Sequence, residues 1–305
     1  MNAIQFAGRF KLVASKADGS GRRELTDWFD NLITDAGLNS LGGNTNLISQ
    51  CAIGSGSSVP AVTNTALDAQ YAETNNRTGQ SGASEAAPWY SWFRFRFRFA
   101  VGVASGNVSE IGIVHGGVLW SRTLVKDPQG NSTTITVLSD EVLDVYYELR
   151  IFPPENDVVG NFSISDGTNT TNHVATIRAA SASSQYWAQG FFNGLTDPSS
   201  TGAQSSNGTD LGLVTGSFGS NTATQITSIT NFDFSWFAYV NNSMKRRVRI
   251  TLGLDAHNYA AGIGGMDITL AFGKYQAKFA PSILKTNQMV LRLDFELSWA
   301  RRNIA

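Results

Sequence analysis

The sequence predicts an all-β chain: two tandem, possibly duplicated β-sandwich-like domains with short helices near the N-terminus. Three observations predict it. The first is the stretch Trp92-Phe93-Arg94-Phe95-Arg96-Phe97-Arg98-Phe99, which alternates aromatic and cationic side chains with a period of two. A strand sends successive side chains to opposite faces, so Phe93, Phe95, Phe97 and Phe99 share one face and Arg94, Arg96 and Arg98 the other. The second is composition. Charged residues are only 15% of the 305, whereas Gly, Ser, Thr and Asn are abundant, a mix that suits many turns. The third is a succession of short apolar runs separated by turn residues along the whole chain.

Each element follows from the same reasoning. Residues 4–13 read as a strand with Ile4, Phe6, Phe10 and Leu12 on one face. Asp18-Gly19-Ser20-Gly21 is turn chemistry, and residues 28–33 form a second short strand. Thr34-Asp35 reads as a helix cap with an acidic first turn, closed by Gly42-Gly43. Asn64 or Thr65 caps one more helical turn at Ala66-Leu67-Asp68, and residues 73–88 are a polar surface loop. Strands then follow at 108–114, 118–125, 133–138 and 142–152. In the last of these Asp144 and Glu148 share a face, and as a sheet neighbour it would pair them with Arg94, Arg96 and Arg98. That pairing competes with a reading of the arginines as a nucleic-acid stripe.

Pro153-Pro154-Glu155-Asn156-Asp157 breaks the pattern and separates an N-terminal domain, 1–152, from a C-terminal one, 158–305. The second half carries strands at 159–164, 173–180, 186–192, 224–240, 245–254, 266–272 and 290–299, with a polar loop at 194–209. The halves look alike. Val142-Leu143-Asp144-Val145-Tyr146-Tyr147-Glu148-Leu149 aligns with Val290-Leu291-Arg292-Leu293-Asp294-Phe295-Glu296-Leu297, and the arginine strand aligns with Arg247-Val248-Arg249-Ile250-Thr251-Leu252. Duplication is one reading. The other is that period two and β-propensity make any two amphipathic strands similar.

Lys+Arg is 23 and Asp+Glu 24, a net charge of −1, so no global field draws the chain to nucleic acid or an anionic membrane. No run approaches a membrane span, and no secretion signal is read at the N-terminus. The single cysteine, Cys51, rules out an intrachain disulfide framework.

Motifs for catalysis are not found in the sequence. His115, His173 and His257 stand far apart, and no Cys-x-x-Cys or P-loop occurs, so neither cofactor nor metal is expected. Gly54-Ser55-Gly56 and the 262–265 stretch read as tight turns. Asp144 with Glu148, and Asp294 with Glu296, offer the paired acids a glycosidase needs, but an arginine-paired face explains them equally. The aromatic residues Trp89, Tyr90 and Trp92, with Tyr186, Trp187 and Trp236-Phe237, are candidates to stack on sugar faces; core packing is the competing fate. Of these, Trp89, Trp92, Tyr186 and Trp187 are the candidate glycan-stacking residues.

One string of short motifs resembles a known class. It comprises Asn31-Leu32-Ile33-Thr34-Asp35-Ala36-Gly37-Leu38, then Ile53-Gly54-Ser55-Gly56-Ser57-Ser58-Val59-Pro60-Ala61-Val62-Thr63-Asn64-Thr65-Ala66-Leu67. It continues with Ser109-Glu110-Ile111-Gly112, Leu119-Trp120-Ser121-Arg122 and Ile135-Thr136-Val137-Leu138, ahead of Leu149-Arg150. Over about residues 25–152 this resembles tailed-bacteriophage virion proteins of the tail-fibre, collar and baseplate kind. The resemblance implies a structural virion component, not an enzyme, made in the host cytoplasm and assembled with other virion proteins and copies of itself. A receptor- or carbohydrate-binding module of the tail, bound to host surface glycan, is the alternative; neither involves nucleic acid or membrane insertion. Residues 4–13 are then a candidate to pair with a neighbouring subunit's sheet edge, and the polar loops at 73–88 and 194–209 to order on contact with neighbours.

Overall fold

The structure, a computed structural model, describes residues 3–43, 48–180, 211–213, 232–269 and 273–302. The expected strand at 186–192, the loop at 194–209 and the start of the strand at 224–240 lie outside the described residues. The fold is all-β. The first half carries β1 (Ile4–Lys16), β2 (Arg23–Glu24), β3 (Phe29–Asp30), β4 (Leu32–Ile33), α1 (Asp35–Ser40), β5 (Gln50–Gly54), β6 (Gln70–Thr74), β7 (Arg77–Ala83), β8 (Ser91–Phe99), β9 (Gly106–Val108), β10 (Glu110–His115), β11 (Val118–Leu124), β12 (Ile135–Val137) and β13 (Glu141–Phe152). The second half carries β14 (Val158–Ser165), β15 (Thr170–Ala180), β16 (Leu211–Leu213), β17 (Phe232–Trp236), β18 (Lys245–Leu252), β19 (Ile263–Thr269), β20 (Lys274–Ile283) and β21 (Leu291–Arg301).

The chain divides into two compact units. The N-terminal unit is Phe6–Gly82, Trp92–Ile151 and Ala300–Ala305; the C-terminal unit is Met1–Gln5, Ala83–Ser91 and Phe152–Trp299. In the N-terminal unit one sheet runs β1-β13-β8-β7, with β2 and β3 also pairing β1, and a second runs β4-β11-β10-β5-β6. Aromatic side chains join the layers. Phe6 of β1 meets Trp120 of β11 edge-on at 6.4 Å, and the Trp120 indole N–H donates to the Tyr147 hydroxyl of β13 at 2.8 Å. Phe93, Phe95, Phe97 and Phe99 are all buried, at roughly 2–3 kcal/mol of transfer free energy each. Thr34 caps α1 as expected, its hydroxyl accepting the Gly37 N–H at 2.9 Å.

Four local expectations change. The strand expected at 28–33 is two: β3 pairs β1 and β4 pairs β11, so the chain switches layers at Asn31. The helical turn at Ala66-Leu67-Asp68 is irregular backbone instead. The polar stretch from Glu73 is not a loop throughout but contains β7, the strand next to β8. Its polar composition suits a sheet edge, and its glycines make room for large rings: a Cβ at Gly79 would stand 2.8 Å from the Phe95 ring, and one at Gly82 2.5 Å from Trp92. Finally, β1 is not an arm left to a neighbour, because β13, β2 and β3 occupy its backbone.

The C-terminal unit holds the strand set β17-β18-β21 and a sheet ordered β14-β15-β20-β19-β16. Phe295 and Leu297 of β21 line a cavity of about 90 Å³ with Ile177, Ile268 and Tyr275 of that sheet. Central strand β20 was not anticipated, although Tyr275, Ala277 and Phe279 alternate into the core. Among the described residues the five-stranded sheets of the two units differ in strand order: the earliest strand of one, β14, ends its sheet beside the next strand, β15, whereas the earliest strand of the other, β4, ends its sheet beside the last, β11. Duplication is therefore not shown.

Candidate functional site

The arginine stripe resolves first. Arg98 clamps Asp144 through Nε and Nη2 at 2.7 and 2.6 Å, and Arg94 Nε donates to Glu148 at 3.0 Å. Glu148 is buried and also receives Arg9 and Arg150, each through Nε at 2.8 Å. Burial alone would raise the Glu148 carboxyl; the hydrogen bonds from Arg94 and Arg150 and the charges of Arg9 and Arg150 outweigh it and hold the group below the usual carboxylate range. Much of the stripe is thus compensated inside the sheet, as the facing acids predicted.

A second ionic cluster gathers three of the resemblance motifs. Glu110 of β10 and Arg122 of β11 are both wholly buried, with Arg122 Nε donating to Glu110 at 3.1 Å. The Glu110 carboxylate accepts the backbone N–H groups of Gly56, Asp68 and Ala69 at 3.0, 3.0 and 2.7 Å. Arg122 reaches Asn64, Ser58 and Asp68. One carboxylate and one guanidinium therefore pin the loop between β5 and β6 at both ends. A side chain at Gly56 would strike the carboxylate at 2.4 Å, so this glycine makes a cradle rather than a simple turn. The motif containing Gly54-Ser55-Gly56, the one containing Ser109-Glu110 and the one ending in Arg122 meet here.

The predicted stacking residues separate. Trp92 is half-buried in β8, its ring beside Gly82 and under the Arg94 guanidinium at 4.9 Å. Tyr186 and Trp187 lie outside the described residues. Trp89 belongs to the C-terminal unit and lines an open cleft of about 890 Å³ with Ala87, Pro88, the turn Pro153-Pro154-Glu155-Asn156-Asp157, and Arg178-Ala179 of β15. The segment bearing Trp89 is closed by hydrogen bonds: the Ser84 N–H donates to the Tyr90 carbonyl at 2.8 Å, and the Tyr90 N–H to the Ser84 hydroxyl at 3.0 Å. The Tyr90 ring packs on Phe152 at 5.2 Å. In the same cleft Arg178 holds Asp157 in a two-point pair, Nε and Nη2 each at 2.8 Å. That pairing keeps the Asp157 carboxyl below its ordinary range, so it is ionised at neutral pH.

Sequence reasoning missed Arg178 and Asp157 as site residues, because twenty-odd positions and a hairpin separate them. Among the described residues no cluster of His, Cys, Asp or Glu is arranged to hold a metal. Comparisons with family models, curated proteins and solved structures found no match.

Proposed function

We propose that this chain is a structural subunit of a tailed-phage virion, of the tail-fibre, collar or baseplate kind. It acts by assembling with copies of itself and with other virion proteins. The virion assignment rests on the resemblance string, three of whose members meet at the Glu110–Arg122 clamp.

The observation that carries assembly is the β14–β15 hairpin. β14 ends its sheet, and among the described residues no strand lies beyond it. Val158 and Val159 are exposed, Val159 at 65%, as is Val174 on β15. The pairing of β14 with β15 is continuous and without a bulge. β14 carries no charge and no proline, so it lacks the usual devices that keep a sheet edge from accepting another strand. Such an edge is suited to β-strand addition by a neighbouring subunit.

Gold-labelled antibody raised against the purified chain tests the proposal on virions that carry it. Labelling confined to one part of the tail is expected and would identify that part. Chain found free in the lysate, with unlabelled particles, would count against it.

A further inference from the structure

We infer that the Trp89 cleft of the C-terminal unit is a binding site for a neutral saccharide. The inference stands apart from the virion reading, since it depends only on what lines the cleft.

The volume of about 890 Å³ falls within the range of about 300–1,000 Å³ usual for small-ligand sites. Its walls combine two kinds of surface. Trp89, Pro88 and Pro154 supply flat apolar area, with Trp89 held in place by the closed 84–90 segment behind it. A pyranose presents a C–H face that matches an indole face. Arg178 and Asp157 supply the polar half. Their two-point pairing fixes both groups at low entropic cost, and each keeps about a third of its side-chain surface exposed. A planar donor beside a carboxylate acceptor matches adjacent sugar hydroxyls, each of which both donates and accepts. Asn156 adds a side chain with both functions.

Charge selects the class of ligand. The lining sets two carboxylate side chains, Glu155 and Asp157, beside one guanidinium, Arg178. Arg178 is already committed to Asp157, so a ligand carboxylate or phosphate would have to compete with it and face Glu155 as well. A neutral hexose or N-acetylhexosamine meets neither obstacle.

Saturation-transfer NMR on the full chain tests this, using glucose, galactose, N-acetylglucosamine and N-acetylneuraminic acid as probes. Transfer to at least one neutral sugar is expected, with affinity falling about tenfold or more in Trp89→Ala and in Asp157→Asn. Trp92→Ala, on the arginine-covered aromatic of the other unit, should bind as wild type. Should Trp89→Ala fail to give the wild-type circular-dichroism spectrum and melting point, Asp157→Asn, which keeps the shape of the side chain, decides the matter. The inference is overturned by no transfer to any neutral sugar, by binding that survives in the folded cleft variants, or by a preference for N-acetylneuraminic acid.

Discussion

The two units each set a cationic strand beside an acidic one, and the pairs differ in what surrounds them. In the N-terminal unit β8 stands next to β13, with Arg94 on Glu148 and Arg98 on Asp144. Glu148 keeps 1% of its side-chain surface exposed and Asp144 7%. In the C-terminal unit β18 pairs β21, with Arg249 on Asp294 and Lys245 on Glu296, yet those acids are 32% and 39% exposed. Sequence pattern sets the pairing in both. Burial is set elsewhere: Arg9 comes from β1, stacks on Trp28 at 4.5 Å, and with Arg94 and Arg150 covers Glu148. A buried acid that loses its charge leaves desolvated cations behind, whereas an exposed one hands its partner back to water.

The sharpest extension of the contrast is Glu110, more deeply buried than either pair. Glu110→Gln should lower unfolding free energy by about 3–5 kcal/mol, because Arg122 loses its one fully buried counter-charge and keeps only the partly exposed Asp68. Urea denaturation measures this, and a loss below about 1 kcal/mol would break the link between burial and dependence on charge.

Glu148→Gln should cost less, about 1–3 kcal/mol, since its arginines retain some solvent. It also has a pH signature. The folded carboxyl lies below the usual value of about 4.3, so its stabilisation is complete above that value and is lost as pH falls through the depressed one. The wild type should therefore lose stability below about pH 4 more steeply than Glu148→Gln.

Cys51 makes the comparison specific to one unit. It is the sole cysteine, lies buried in β5, and burial pushes its thiol far above the ordinary range. Labelling by a thiol reagent should wait for the N-terminal unit to open. Glu148→Gln should accelerate labelling; Asp294→Asn should leave it unchanged. Equal acceleration by both would show that the exposed pair matters as much as the buried one.

The smallest expected effect is on overall stability in Asp294→Asn, where the unfolding midpoint should not move measurably, because exposed ion pairs contribute little. Charging the free edge with Val159→Lys should likewise spare stability while shifting sedimentation toward the monomer. Unchanged self-association in that variant would remove β14 as the contact.

Much of this was legible in residue order, for a physical reason: period two is local. It assigned the phenylalanine and arginine faces of β8 and the acidic face of β13, and their pairing followed from complementary charge. The Glu110 clamp was not legible as a clamp, since it joins a strand to backbone N–H groups more than forty residues earlier and side chains leave no periodic trace of such contacts. The same clamp explains the missing helical turn at Ala66-Leu67-Asp68, for Glu110 takes up the N–H groups of Asp68 and Ala69. The resemblance between halves lies in strands of a kind that any amphipathic sheet would repeat, and among the described residues strand order, which is non-local, differs, so duplication is not shown. For the Trp89 cleft, one aromatic residue was visible in the sequence; Asp157 and Arg178 became partners only through the β14–β15 pairing.

The proposal at the centre of this account is that the chain is built into a phage particle, and quantitative mass spectrometry on purified virions from an infected culture carrying this gene tests it most directly. A fixed copy number per particle, in constant ratio to the tail or portal proteins, is the predicted result and would give the symmetry of the assembly. Absence of the chain from particles that are otherwise complete would contradict it.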